Sequence, residues 1–184
     1  MRFAGPIRKD LGVPTVFNLL GPLTNPAGAK SQLIGVPNVE LTSKIAQVLK
    51  RLGSERVLVV HGYDGLCELT VTSPTHVAEL REGNIKEYEV TPEKLGLKTG
   101  KLEEISIDTP EESARIMERI FSGDEKGTAR EIALANAAGA LVVSGQVENL
   151  EEGVDLAAKT VDNGKAAEKL NDLIKFSWAN HQAK

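Results

Sequence analysis

The sequence predicts an α/β fold, a mixed and largely parallel sheet flanked by helices. Three features carry that prediction. Residues 56–62 form a continuous β-branched run, Arg56-Val-Leu-Val-Val-His-Gly62, rather than an alternating one, as expected of a parallel strand buried on both faces. Between this run and an earlier apolar one lies a helical spacing of apolar residues, so strand, helix and strand succeed one another as a βαβ unit. From Thr109 to Trp178 the apolar period is helical almost throughout.

Residues 1–30 are dense in turn formers. Gly5-Pro6, Gly12, Pro14, Gly21-Pro22 and Asn25-Pro26 leave only the piece Val16–Leu20, enough for one or two helical turns. A globular domain does not normally begin with so long an irregular stretch, because its backbone groups need neighbours, so this start reads as the middle of a larger unit. A sheet-forming region over 31–107 begins with Gln32–Val36, ended by Pro37. Asn38 caps a helix whose Leu41, Ile45, Val48, Leu49 and Leu52 share one face, and Gly53 stops it. After the strand 56–62 and the loop Gly62–Gly65 the period changes to two, in Glu68–Thr72 and His76–Leu80. Joined by Ser73-Pro74-Thr75, these predict a hairpin or adjoining antiparallel strands. Ile85–Val90 predicts a further strand, and Thr91-Pro92-Glu93 opens a single helical turn ended by Gly96.

The helical region, 108–179, starts at the capping box Thr109-Pro110-Glu111-Glu112 and runs through Ala114, Ile116, Met117, Ile120 and Phe121 to a stop at Gly123. Residues 128–144 are rich in Ala and Leu and apolar nearly all round, which predicts the most buried helix. Leu150–Asn163 and Lys165–Trp178 are amphipathic and separated by Gly164. The whole reads as one partial α/β domain over 1–184.

Composition narrows the function classes. With 41% hydrophobic and 26% charged residues in 184, the chain has the proportions of an ordinary globular protein, against disorder or a fibrous repeat. Its apolar runs fall far short of the roughly 20 residues that span a bilayer, and Met1–Arg8 has no apolar signal core, so the chain reads as cytoplasmic with no membrane partner. Cys67 is the single cysteine, which excludes a disulfide framework and a zinc site of paired cysteines. A net charge of −4 argues against a nucleic-acid-coating protein. The charge is uneven, +5 over residues 1–60 and −9 over 61–184, which fits either an anion-binding first third or ordinary solvated helix faces.

In an open parallel sheet, ligands bind beyond the carboxyl ends of the strands. The loop His61-Gly-Tyr-Asp-Gly-Leu-Cys-Glu68 leaves the clearest strand in the chain. Asp64 and Glu68 there fit a Mg²⁺ site, since magnesium takes one or two carboxylates and leaves positions for substrate phosphates. On residues alone an ordinary turn fits better: Asp64-Gly65 makes the bend and Glu68 faces water. His61 has the chemistry of an acid or base, and also that of a hydrogen-bonded residue closing a buried strand. Cys67 has no base beside it in sequence to make it a nucleophile and reads as a small packing residue. Arg8, flanked by Gly-Pro, suits a planar fork on a carboxylate or phosphate, or the surface. The chain contains no GxGxxG, P-loop or GxSxG motif.

The segment from Arg8 to Ala27, with Phe17-Asn-Leu-Leu-Gly-Pro-Leu-Thr-Asn-Pro26 at its centre, resembles the second half of the anthranilate phosphoribosyltransferase family. The resemblance continues through Gln32–Val36, Val57–Thr70 and Ala135–Ala140 and spans essentially the whole chain. It implies the large α/β domain of the nucleoside phosphorylase/phosphoribosyltransferase type, incomplete at its N-terminal side, with 1–30 as a substrate-side segment. It also implies a magnesium-dependent transfer in tryptophan biosynthesis, in which anthranilate displaces pyrophosphate from 5-phosphoribosyl 1-diphosphate, and a homodimer in the intact family members. Carried over by position, Arg8 would contact the anthranilate carboxylate, Gly21 would lie in the adjoining wall, and Glu68 would be the second member of an Asp-Glu magnesium pair. Two departures stand out. Cys67 occupies the place of the aspartate, a soft sulfur where Mg²⁺ favours hard oxygen. The glycine-rich Gly-Thr-Gly-Gly-Asp loop that binds the diphosphate in the family is not in this sequence, so the chain is expected to be a C-terminal piece, inactive alone. A non-catalytic binding or assembly module of the same ancestry is the alternative.

Overall fold

The computed structural model of the chain describes Gly12 and residues 17–181. The elements are α1 (Phe17–Leu23), β1 (Ser31–Gly35), α2 (Glu40–Arg51), β2 (Arg56–Gly62), β3 (Thr75–Arg81) and β4 (Asn84–Val90), then α3 (Pro110–Ser122), α4 (Thr128–Val143), α5 (Leu150–Asp162) and α6 (Lys165–His181). Short 3₁₀ turns at Glu93–Leu95 and Leu102–Glu104 link the strands to the helices.

The four strands make one sheet in the order β1-β2-β3-β4. β1 pairs parallel with β2, from Ser31 opposite Arg56 to Gly35 opposite Val60, with α2 as the crossover between them. The mixed sheet flanked by helices is therefore as the sequence predicts. Parallel pairing is confined to this one pair among the described residues, because β2 pairs antiparallel with β3 and β3 antiparallel with β4. The continuous apolar run of β2 has a different origin from parallel pairing on both sides. Val57 and Val59 point into a cluster with Ile45, Ala46 and Leu49 of α2, while Leu58 and Val60 point into a second cluster with Leu134, Ala135 and Ala138 of α4. Two covered faces, rather than two parallel neighbours, remove the alternation.

The expected strand Glu68–Thr72 does not form, and the hairpin lies elsewhere. β3 and β4 are joined at Glu82-Gly83, with φ of 52° and 75°. Two successive left-handed residues give the turn whose twist matches that of the strands it connects. Residues 69–71 are buried as the period suggests, yet most of their backbone partners are side chains rather than a ladder, the Val71 carbonyl accepting from the Gly100 N–H. Leu69 N–H goes to Asn136, Thr70 N–H to the Thr75 hydroxyl and Thr72 N–H to the Thr70 hydroxyl. With those donors taken, the segment runs as a packed loop.

The capping signals hold with small shifts. Asn38 Oδ1 accepts from the Glu40 N–H at 2.9 Å, and Thr109 accepts from the Glu112 N–H at 3.2 Å. The Glu112 carboxylate reaches back to the Asp108 N–H, one residue before the cap. α4 is the most buried helix, covering the sheet with Leu134, Ala135, Ala138, Gly139, Val142 and Val143.

Candidate functional site

The parallel pair β1 and β2 ends at one edge of the sheet, and residues 63–74 fold across that edge. Two glycines let them lie close. A Cβ on Gly35, the last residue of β1, would stand 1.6 Å from the Cys67 carbonyl oxygen, and one on Gly62, the last of β2, would stand 2.5 Å from Asp64 Oδ1. Real Cβ contacts essentially never fall below 3.0 Å. At Gly35 the obstacle is main chain, so any other residue there would lift the loop from the strand end, whereas at Gly62 it would displace the Asp64 and Thr70 side chains.

Asp64 organises the loop from within. Its Oδ1 accepts from the Leu66 N–H at 3.0 Å, and its Oδ2 accepts from the Thr70 hydroxyl at 2.6 Å and from the Thr72 hydroxyl. Its own N–H donates to Ser73 Oγ. Partial burial opposes ionisation of Asp64, but the Thr70 and Thr72 hydroxyls, with the Leu66 N–H and Ser73, outweigh it and hold the carboxyl below its ordinary range. Of the two readings of Asp64, the geometry favours the turn: both oxygens are engaged by protein donors. His61 likewise serves the fold. Its Nδ1 lies 2.9 Å from the Val36 carbonyl, which can only accept, so Nδ1 carries the proton and ties β2 to the end of β1.

Cys67 and Glu68 sit at the outer surface of this loop, both exposed. Glu68 makes no hydrogen bond or ion pair to any described residue, and no group of three or more His, Cys, Asp or Glu able to hold a metal occurs among them. One exposed carboxylate without such a partner among the described residues fits the form of Mg²⁺ binding in which a single protein oxygen is supplemented by water and substrate phosphates. It does not make a two-carboxylate site, because Cys67 offers sulfur beside it.

The next residue along, Leu69, is 1% exposed. Its backbone is gripped by Asn136 of α4: the Leu69 N–H donates to Oδ1 at 3.1 Å, and Nδ2 donates to the Leu69 carbonyl at 2.9 Å. The other Nδ2 hydrogen goes to Ile132 O within the helix, also at 2.9 Å. Sequence reasoning missed Asn136, although a lone amide in the Ala/Leu-rich run 128–143 was a readable signal. It also missed Gly35 and the threonines 70 and 72. Gly21 lies exposed in α1, where an added Cβ would meet nothing within 4 Å. No hydrogen bond joins the described part of α1 to the 63–74 loop. Arg8 lies outside the described residues.

Comparison with known proteins gives this arrangement its family. The family described as "Glycosyl transferase family, a/b domain" matches residues 1–167. The chain belongs to that family. An anthranilate phosphoribosyltransferase of Nitrosomonas eutropha is 48% identical over 177 residues, 96% of this chain and 52% of the relative. Another, of Desulfosudis oleivorans, is 46% identical over 180 residues, 98% of this chain and 53% of its own length. The crystal structure of anthranilate phosphoribosyltransferase from Thermus thermophilus superposes with a TM-score of 0.88 at 41% identity, covering 96% of this chain and 52% of that one. The Saccharomyces cerevisiae enzyme in complex with PRPP and Mg superposes with a TM-score of 0.80 at 31% identity, over 90% of this chain and 48% of that one. The resemblance read from Phe17–Pro26 and the later segments is thus borne out, and the chain spans about half the length of the relatives it matches. No helix among the described residues is long and apolar enough to cross a membrane.

Proposed function

We propose that this chain is the second half of an anthranilate phosphoribosyltransferase. In the proposed reaction the anthranilate nitrogen forms a bond to C1 of 5-phosphoribosyl 1-diphosphate as the C1–O bond to pyrophosphate breaks, and the amine gives up a proton. The products are N-(5-phosphoribosyl)anthranilate and pyrophosphate. The observation that carries the reading is near-complete coverage of this chain, at 46–48% identity, by relatives of that name.

Such a displacement needs positioning and charge stabilisation more than covalent chemistry. Arg8 would orient anthranilate by a two-pronged hydrogen bond to its carboxylate, beside a wall containing Gly21. Glu68 would be the protein's oxygen anchor for a metal, presented by the loop at the sheet edge. Mg²⁺, when bound, would neutralise charge on the departing pyrophosphate. The chain alone would not turn over, since the family's diphosphate-binding glycine-rich loop is absent from its sequence. The reading places the intact protein in the cytoplasm.

Cys67 favours a second reading, a binding or assembly module that has lost its metal chemistry. A chimera separates the two, in which this chain replaces the matching half of the Nitrosomonas eutropha enzyme and anthranilate consumption is followed by fluorescence. Turnover in the chimera, increased by Cys67→Asp, supports the enzyme reading. A chimera that folds but stays inactive with both cysteine and aspartate at 67 refutes the enzyme reading. Phosphoribosyl anthranilate formation by the pure 184-residue chain would overturn only the expected inactivity of the half.

A further inference from the structure

Asparagine is a poor residue for the middle of an apolar helix, costing about 0.6 kcal/mol in intrinsic propensity relative to the alanines that flank Asn136. Its amide must also find partners or lose solvation. The partners it finds are the N–H and the carbonyl of one residue, Leu69, at 3.1 and 2.9 Å. This is the pattern a neighbouring strand would offer, supplied here by a side chain. The Leu69 side chain is held by the same helix. A Cβ on Gly139 would stand 2.9 Å from Leu69 Cδ1, so the leucine rests directly on the helix surface three residues beyond Asn136.

On the other side of Glu68, the Cys67 backbone lies directly against Gly35. Glu68 is therefore bracketed. The residue before it is pressed onto the end of β1, the residue after it is pinned to α4, and its own side chain makes no hydrogen bond or ion pair to any described residue. With both neighbours held and no such partner among the described residues, this exposed carboxylate leaves the loop in a direction that the bracketed backbone sets at its Cα–Cβ bond.

We infer that Asn136 is a positioning residue for Glu68, acting through the Leu69 backbone and coupling α4 to the candidate metal carboxylate. The inference rests on the proposed function for what Glu68 does, but not for how Glu68 is held. Asn136→Leu and Asn136→Ala both place strong helix formers in α4, so the helix itself is not weakened, while Leu69 loses both partners.

The test uses the full 184-residue chain, isotope-labelled, with two readouts. In amide hydrogen exchange, the Leu69 N–H exchanges at least about tenfold faster in both variants, while Leu58 and Val59 of β2 keep their protection. In titrations with Mg²⁺ and pyrophosphate, the midpoint of the Glu68 amide shift rises at least about threefold in the variants, an effect that general loosening of α4 would not localise there. Unchanged Leu69 exchange, or equal acceleration of Leu69 and β2, overturns the inference. So does a Glu68 midpoint identical in wild type and variants. If the wild-type Glu68 resonance ignores Mg²⁺ and pyrophosphate altogether, the metal assignment of the proposed function falls, and the exchange comparison decides the role of Asn136 by itself.

Discussion

Replacing Gly35 by alanine tests the packing that places the loop. The new Cβ would begin 1.6 Å from the Cys67 carbonyl oxygen and 2.4 Å from its carbon, and contacts below 3.0 Å essentially never occur, so the Cys67 backbone must retreat by about 1.4 Å. The obstacle is main chain, which cannot swing aside as the end of a side chain can. The retreat is resisted two residues away at Leu69, held by Asn136. Overpacking of this kind costs about 1–3 kcal/mol, and distorting the two Asn136–Leu69 bonds adds about 1–2 kcal/mol. Against that, alanine gains about 0.5–1 kcal/mol over glycine in the unfolded chain. The net loss is about 1–4.5 kcal/mol, read as a lower urea midpoint at unchanged slope in equilibrium unfolding of the chain by circular dichroism. Alkylation of Cys67, the only thiol, reports the loop independently, and its rate should change in the same variant. Gly83→Ala is the control. Its φ of 75° imposes about 1 kcal/mol of backbone strain, an added Cβ there meets nothing within 4 Å, and the Cys67 rate should not respond. If Gly35→Ala unfolds within about 0.5 kcal/mol of wild type with an unchanged Cys67 rate, the close approach of loop and strand is wrong.

Asp64 should shape the acid limb of stability. Its carboxyl is held below the ordinary range in the folded chain, so it contributes stability that is present above the unfolded value and is lost as pH falls through the folded one. Thr70→Val removes a donor to that carboxylate and should cost about 1–2 kcal/mol at neutral pH, with the difference shrinking in acid; a pH-independent difference would contradict the network. The two tyrosines should both resist ionisation. Tyr63 is raised by its bond to Glu89 and Tyr88 by burial and the Glu79 charge, so absorbance titration should show neither phenol ionising at its ordinary pH, and a normal titration of either would remove its carboxylate partner. In the chimera, Arg8→Lys should raise the KM for anthranilate by roughly one to two powers of ten and leave that for the diphosphate nearly unchanged, whereas parallel rises would assign Arg8 to the fold.

The elements that sequence reasoning placed well are those whose signal is local. The helix opened by Asn38, the helix capped at Thr109 and stopped by Gly123, and the strand 56–62 stand where spacing, caps and β-branched runs put them. The segment 68–72 shows where that reasoning stops. Its alternation is genuine and its buried residues are buried, but burial with period two fixes only which side chains face inward. Whether the backbone then joins a ladder depends on which donors and acceptors lie opposite, and here those are Asn136, Thr75 and Thr70. Likewise Asp64 and Glu68 were equally readable as candidates from residue type and place after a strand, and only the two hydroxyl partners of Asp64 distinguish it as the turn's own carboxylate.

By itself the sequence determined the secondary elements other than the segment 68–72, the two-faced burial of β2 and, through Phe17–Pro26 and the segments that follow, the family to which the chain is similar. These are properties of short windows, set by backbone propensity, apolar period and residue identity. Tertiary structure alone decided where the hairpin turn falls, the course of residues 63–74 and the environment of Glu68. Gly35 and Cys67, and Leu69 and Asn136, stand 32 and 67 residues apart. Contacts at such separations form only when the sheet edge and α4 are packed together, and no local pattern in either segment records the other.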